Sequence, residues 1–205
     1  MGYNKNTAVA IRHGTPYYGG IRIRCLYMEQ GISAVHQFIR HWRSDSNISK
    51  LLRITVSWCQ LSLGTGISMF DDQRDLLHFE SKWLRFIRNF LRHINGRFEL
   101  DNAYVVPIQR EGDVHLMDII IDSKQFSKNQ INQLNYCRMF LSVYTLSDIT
   151  KSNGLWLHQE FVDGKPINSS HECDLISVRQ QKPSPQIWKL WKKANKIWST
   201  KGGKL

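Results

Sequence analysis

Acidic residues are scarce in this sequence. Seventeen Asp and Glu stand against 28 Lys and Arg in 205 residues, a net charge of +11. The first acid is Glu29, and from Lys182 onward there are seven Lys and no acid. Such a surplus favours contact with phosphate or another anionic surface and carries no information about fold. Cysteine is also sparse. Cys25, Cys59, Cys137 and Cys173 are far apart, with no C-x-x-C pair, which argues against a disulfide scaffold and a zinc ribbon. Free thiols in a reducing compartment are the plain expectation. No apolar run approaches the roughly 20 residues that span a bilayer. The first residues, MGYNKNTAVAIRHG, contain no apolar core of a secretory signal. These absences predict a soluble intracellular protein, nuclear or cytoplasmic.

Several catalytic signatures are missing too. There is no H-E-x-x-H and no G-x-S-x-G, and Gly64-x-Gly66 lacks the later Gly and Lys-Ser/Thr of a phosphate loop. His78-x-Glu80 and His158-x-Glu160 echo half of a zinc-deaminase motif, but neither is followed by P-C-x-x-C. His171-Glu172-Cys173 offers metal-ligand types at one place, and a closed site needs four ligands. The sequence predicts no cofactor and no bound metal.

What is present is apolar periodicity. Hydrophobic residues make up 41% of the chain, with seven Trp, seven Tyr and nine Phe, enough for a core. From Leu26 a helical period places Leu26, Ile32, Val35, Phe38, Ile39 and Trp42 on one broad face. Ser44 to Ser46 break it and can cap a second helix from about Ile48 to Leu63, stopped by Gly64-Thr65-Gly66. Its apolar side is read as Leu51, Leu52, Thr55, Val56, Cys59 and Leu63. The segment LLHFESKWLRFIRNFLRHING repeats Leu84, Ile87 and Leu91 at helical spacing, with Arg85, Arg88 and Arg92 as a basic ridge beside them. RFELD, AYVVPIQ and LWLHQEFVDGKPI read as extended pieces. Val114 to Ser123 reads as a short helix, and Ser127 with Gln130 fits a capping box for the next one. Ser184-Pro185 opens a last helix. Trp188, Trp191 and Trp198 lie on its apolar side, and Lys189, Lys192, Lys193 and Lys196 on the other. Docking on a membrane surface competes with packing of those tryptophans onto the domain, which is preferred.

Asp71 and Asp72, in ISMFDD, raise the possibility of a two-metal polymerase centre. The residue two before Asp71 is Met69 rather than an aromatic, and no acid before Glu29 can supply a third ligand. The preferred alternative is that one aspartate caps the following helix at its positive end.

The fold expected is mainly α, an irregular bundle of about five to seven helices with a few extended segments. The divisions expected are a polar lead-in (1–25), a helical domain (26–150), a connector (151–183) and a basic Trp/Lys helix with its tail (184–205). Candidate phosphate contacts are Arg85, Arg88, Arg92, Lys189, Lys192, Lys193 and Lys196. Arg12, Arg22, Arg24, Arg40 and Arg43 make the first segment basic as well.

A resemblance runs along most of the chain. It begins with Ala10-Ile11-Arg12-His13-Gly14, Tyr18-Gly19-Gly20-Ile21 and Leu26-Tyr27-Met28-Glu29-Gln30-Gly31-Ile32. It continues through Glu80 to Leu84, Pro107 to Glu111, Asp113, Met117-Asp118, Leu134 to Arg138, Thr145 to Ile149 and Pro183 to Thr200. Together these strings resemble the thumb-like, post-polymerase segment of reverse-transcriptase open reading frames of the non-LTR-retroelement kind, abundant in eukaryotic algae. The chain departs from that pattern where Ile-Arg-Ile-Arg-Cys (21–25) replaces a more apolar Gly-Leu-Gly-Leu-Pro. The resemblance implies a non-catalytic C-terminal remnant that grips template–primer RNA or DNA by its backbone. It places the catalytic aspartates and their Mg2+ in a polymerase core upstream, a possible partner of this segment. A helical interaction module without nucleic-acid binding is the alternative.

Overall fold

Capping chemistry sets several of the helix boundaries. The computed structural model describes residues 8–101, 104–163 and 182–199. These hold eight α-helices and no β-strand, a mainly α, irregular bundle. They are α1 (Val9–His13), α2 (Leu26–Arg43), α3 (Asn47–Leu63), α4 (Lys82–His93), α5 (Leu116–Asp122), α6 (Lys128–Leu141), α7 (Gln159–Asp163) and α8 (Pro185–Trp198). Ser46 Oγ accepts from the Ser49 N–H at 3.2 Å and opens α3. Gly64 closes it with φ of 66°, a left-handed conformation that costs glycine little. The Ser127–Gln130 capping box forms in full: Ser127 Oγ accepts from Gln130 N at 3.4 Å, and Gln130 Oε1 accepts from Ser127 N at 2.9 Å. Replacing Ser127 with Ala is expected to cost about 1 kcal/mol. Urea unfolding followed by tryptophan fluorescence measures it; no loss would mean that α6 does not depend on its cap.

Two apolar cores are built from these helices. The first joins α2, α3 and α4 through Phe38, Val56, Leu63, Leu84, Ile87 and Leu91, with Met69, Phe70, Leu76 and Phe79 from the segment between α3 and α4. Phe38 is its centre, stacked on Phe98 at 4.8 Å and on Trp42 at 5.5 Å between ring centroids. Gly31 lets α2 approach α4 closely, because a Cβ there would meet the Phe90 ring at 2.1 Å. The second core joins α5, α6 and α8 through Leu116, Ile120, Leu134, Cys137, Trp191 and Ala194, closed by Phe161 of α7. α3 and α6 meet between the two.

Several sequence expectations change. On α2 the buried positions are Gly31, Ala34 and Phe38, while Leu26 and Ile32 are exposed, because the Phe90 contact turns the small-residue side inward. On α3, Leu51 and Thr55 face solvent. Among the described residues the extended pieces form no strand, and the β-bridges there are the isolated pairs His115–Thr145 and Thr150–Leu157. Residues 159–163 are helical rather than extended. The tryptophans of the last helix pack onto the body, as preferred, and complete the second core. Most of the expected connector, 164–181, lies outside the described residues. Cys25, Cys59 and Cys137 are free thiols, and burial pushes that of Cys137 up to about 12.

Candidate nucleic-acid interface

α8 is two-sided in composition and in structure. Pro185 occupies its first turn, where a missing N–H costs nothing. Trp188, Trp191, Ala194 and Trp198 then recur every three or four residues and are buried. Trp191 is fully enclosed, and its indole Nε1 donates to the Phe161 carbonyl at 3.0 Å. The apolar side needed for lying on a membrane surface is therefore already used in the core. Among the described residues no helix is long and apolar enough to cross a membrane. The opposite side carries Lys189, Lys192, Lys193 and Lys196, all exposed. Lys192 Nζ pairs with Asp163 at 3.1 Å. Among the described residues, Lys189, Lys193 and Lys196 pair with no carboxylate. α8 thus presents a basic row on a support anchored by three large aromatics.

The arginine ridge of α4 is not such a row. Arg88 is only 2% exposed. Its Nε donates to the Met69 carbonyl at 2.8 Å, and its Nη2 to the carbonyls of Asp72, at 2.7 Å, and Arg74. Arg92 donates to the Gln73 carbonyl at 2.8 Å and to Asp75 Oδ1 at 3.1 Å. Arg85 donates to the Phe79 carbonyl at 3.2 Å. All three bind the irregular segment 69–79, which lies along this side of α4. Arg88 is therefore withdrawn as a phosphate contact, and Arg85 and Arg92 are committed to the same seam. A ridge at helical spacing identifies a shared face, but the face is covered by chain that has no period of its own.

The aspartates of ISMFDD have a third fate. Asp72 is buried and Asp71 exposed. Neither caps α4, which starts at Lys82 with Ser81 Oγ accepting from Leu84 N at 3.4 Å. Asp72 instead folds back on Arg74. It accepts from the Arg74 backbone N–H at 2.9 Å, from Nε at 3.0 Å and from Nη2 at 2.6 Å. Burial pushes the Asp72 carboxyl up, but these bonds outweigh it and hold it below the usual carboxylate range. Arg74 also reaches α5, at 2.5 Å from Asp118 and 3.0 Å from Asp122. Asp118 accepts from the Gly66 N–H at 2.9 Å through its other oxygen. This guanidinium ties the first core to the second.

A second seam uses Arg138 of α6, which is fully buried and, among the described residues, pairs with no carboxylate. It donates to the carbonyls of Leu61 at 3.1 Å and Ser62 at 2.9 Å, at the C-terminal end of α3. Burial lowers its pKa to about 10, which leaves it charged at neutral pH. Sequence reasoning missed Arg74, Asp118 and Arg138 as structural groups. Arg138 had a usable signal: it sits between Leu134 and Leu141 at helical spacing, on the buried stripe.

The remaining candidates do not converge. His78 is buried, with Nε2 at 3.0 Å from the Leu63 carbonyl, whereas Glu80 is exposed. Cys59 shares a cavity of about 290 Å3 with them, but burial and the Glu80 charge push its thiol up, away from the reactive thiolate. His158 packs on Phe161, and Glu160 is exposed. His171, Glu172 and Cys173 lie outside the described residues. Among the described residues no group of three His, Cys, Asp or Glu is placed to hold a metal ion. In the first segment Arg22, Arg24, Arg40 and Arg43 are exposed and Arg12 is half-buried. No protein-family model, curated protein or solved structure matches the chain.

Proposed function

We propose that this chain is a non-catalytic module that grips nucleic acid through its phosphate backbone. In this reading it is the thumb-like segment of a retroelement reverse transcriptase and works inside the cell, in the nucleus or cytoplasm. The observation that carries the reading is the row Lys189, Lys192, Lys193 and Lys196 on the open side of an anchored helix. At about 1.5 Å of rise per residue the row is about 10 Å long. That covers roughly three backbone steps at about 3.4 Å per nucleotide of one strand. Anchoring lowers the cost of ordering these side chains on binding. In this reading a polymerase domain of the same element supplies the Mg2+ and the chemistry.

The test is duplex binding measured against salt. Each phosphate contact steepens the fall of log K with log salt by about 0.9. The triple variant K189E/K193E/K196E is expected to flatten that slope by about 2 to 3 while leaving the unfolding midpoint unchanged. No binding at low salt would favour the alternative, an interaction module without nucleic acid. Its supporting observation is the exposed apolar set Ile48, Leu51, Ile54 and Trp58 on α3. Primer extension by the purified chain with Mg2+, primed RNA and nucleotides would overturn the non-catalytic reading.

A further inference from the structure

Each apolar core is built from one continuous stretch of chain. The first draws its buried residues from Ala34 to Phe98 and the second from Leu116 to Trp198. The chain passes between them once. The two buried clusters stay separate, with the half-buried Ile121 of α5 packed against both.

Around Ile121 the ties across this junction are polar. Arg74 reaches Asp118 and Asp122 on α5, and the Gly66 N–H donates to Asp118. Gly66 also backs onto His115, since a Cβ there would meet the imidazole Nδ1 at 2.5 Å. Asn135 and Arg138 of α6 donate to the end of α3, Asn135 Nδ2 to the Ser62 carbonyl at 2.9 Å and Arg138 to the carbonyls of Leu61 and Ser62. Hydrogen bonds exchange for bonds to water with a small net loss, which buried apolar area cannot do. Arg138 Nη1 has no partner even when the junction is closed, so water reaching it offsets part of that loss. Polar contacts of this kind within one chain allow the two sides to move, unless the interface is large and apolar.

We propose that the junction is a latched hinge: it opens and closes while each core stays packed. Arg74 is the latch. Asp72, within the first core's own segment, holds its Nε and Nη2 and keeps the guanidinium in place in both states. The bonds to Asp118 and Asp122 are the ones that break on opening. Asp122 is 61% exposed and Arg74 23%, so solvent ions reach this pair and salt loosens it. The lysine row of α8 belongs to the second core, so opening shifts it relative to α2, α3 and α4. The hinge does not depend on what that row binds.

The full chain is followed by small-angle X-ray scattering and by amide hydrogen exchange. Raising sodium chloride from about 50 mM to about 500 mM shortens the Debye length roughly threefold. The radius of gyration of the wild type is expected to rise across that range. D118A/D122A removes the α5 end of the latch and leaves Arg74 on Asp72, so it should show the larger radius already at the lower salt. D122N, at an exposed position, should shift the expansion to lower salt than in the wild type. Mid-helix amides of α4 and α6 should exchange within about threefold of the wild-type rates in both variants. Should D118A/D122A fail to fold, D122N alone decides by the same readings. A radius that responds neither to salt nor to substitution overturns the hinge. So does faster exchange of the α4 and α6 amides together, which makes the two cores one cooperative body.

Discussion

Replacing Arg88 with Met is expected to lower the unfolding free energy by about 3 to 5 kcal/mol, because three backbone carbonyls lose their donor. The side chain is 2% exposed and serves the carbonyls of Met69, Asp72 and Arg74 at once. Met fills much of the volume but leaves those acceptors without a donor, and each unsatisfied buried group costs about 1 to 3 kcal/mol. Lys restores the charge but not the planar fork, so R88K should fall between wild type and R88M. Urea unfolding provides the free energies. Nucleic-acid affinity measured on the folded fraction should hardly change. A loss below about 1 kcal/mol together with a flattened salt slope would make Arg88 a phosphate contact after all.

Acidification is expected to remove about 3 kcal/mol of stability between about pH 6.5 and pH 4, and His78 is the cause. Burial lowers the pKa of His78 from 6.5 to about 4, and the positive charges of Arg138 and Arg74 add to the effect. The hydrogen bond to the Leu63 carbonyl and the charge of Asp72 act the other way without winning. The sign follows from which state binds the proton. Above pH 6.5 His78 is neutral in both the folded and unfolded chain and stability is at its full value. As pH falls toward 4 the unfolded chain takes up a proton that the folded chain refuses, so unfolding is favoured. Below 4 both forms are protonated and the loss stops growing. Asp72 adds a further loss there, because its folded pKa is depressed and its bonds to Arg74 need the carboxylate. The H78Q variant keeps a donor for the Leu63 carbonyl and should flatten the profile between pH 6.5 and 4. Urea midpoints at pH 7.5, 5.5 and 4 decide it; an unchanged slope in H78Q would assign the acid sensitivity elsewhere.

Helix identity was legible wherever a cap and a long apolar period agreed. α3 lies within about a residue of its expected bounds, between Ser46 and Gly64, and α6 carries the capping box expected of Ser127 and Gln130. α8 was legible twice over, as a helix and as a helix whose tryptophans pack inward. These depend on contacts within one turn or one face, and both are written locally. The face of α2 was less legible. Phe38, Val35, Ile39 and Trp42 of its expected face do meet the first core, but Leu26 and Ile32 are exposed, and Gly31 and Ala34 offer a close approach that Phe90 fills from α4.

The charged groups divide along the same line. By itself the sequence determined the mainly helical class, the excess of basic residues and the two-sided character of α8, since periodicity and composition are properties of the chain alone. Only the tertiary structure decided which basic residues are available. Lys189, Lys193 and Lys196 stay open to solvent because the opposite side of their helix is buried. Arg85, Arg88 and Arg92, at equally regular spacing, are spent on the carbonyls and Asp75 of an aperiodic segment. Asp72, adjacent to Asp71 in sequence, turns away from it to hold Arg74, and Arg74 carries the connection on to Asp118 and Asp122 in α5. A guanidinium satisfies whichever carbonyls and carboxylates the fold brings within about 3 Å, and that proximity comes from the packing of distant segments rather than from spacing along the chain.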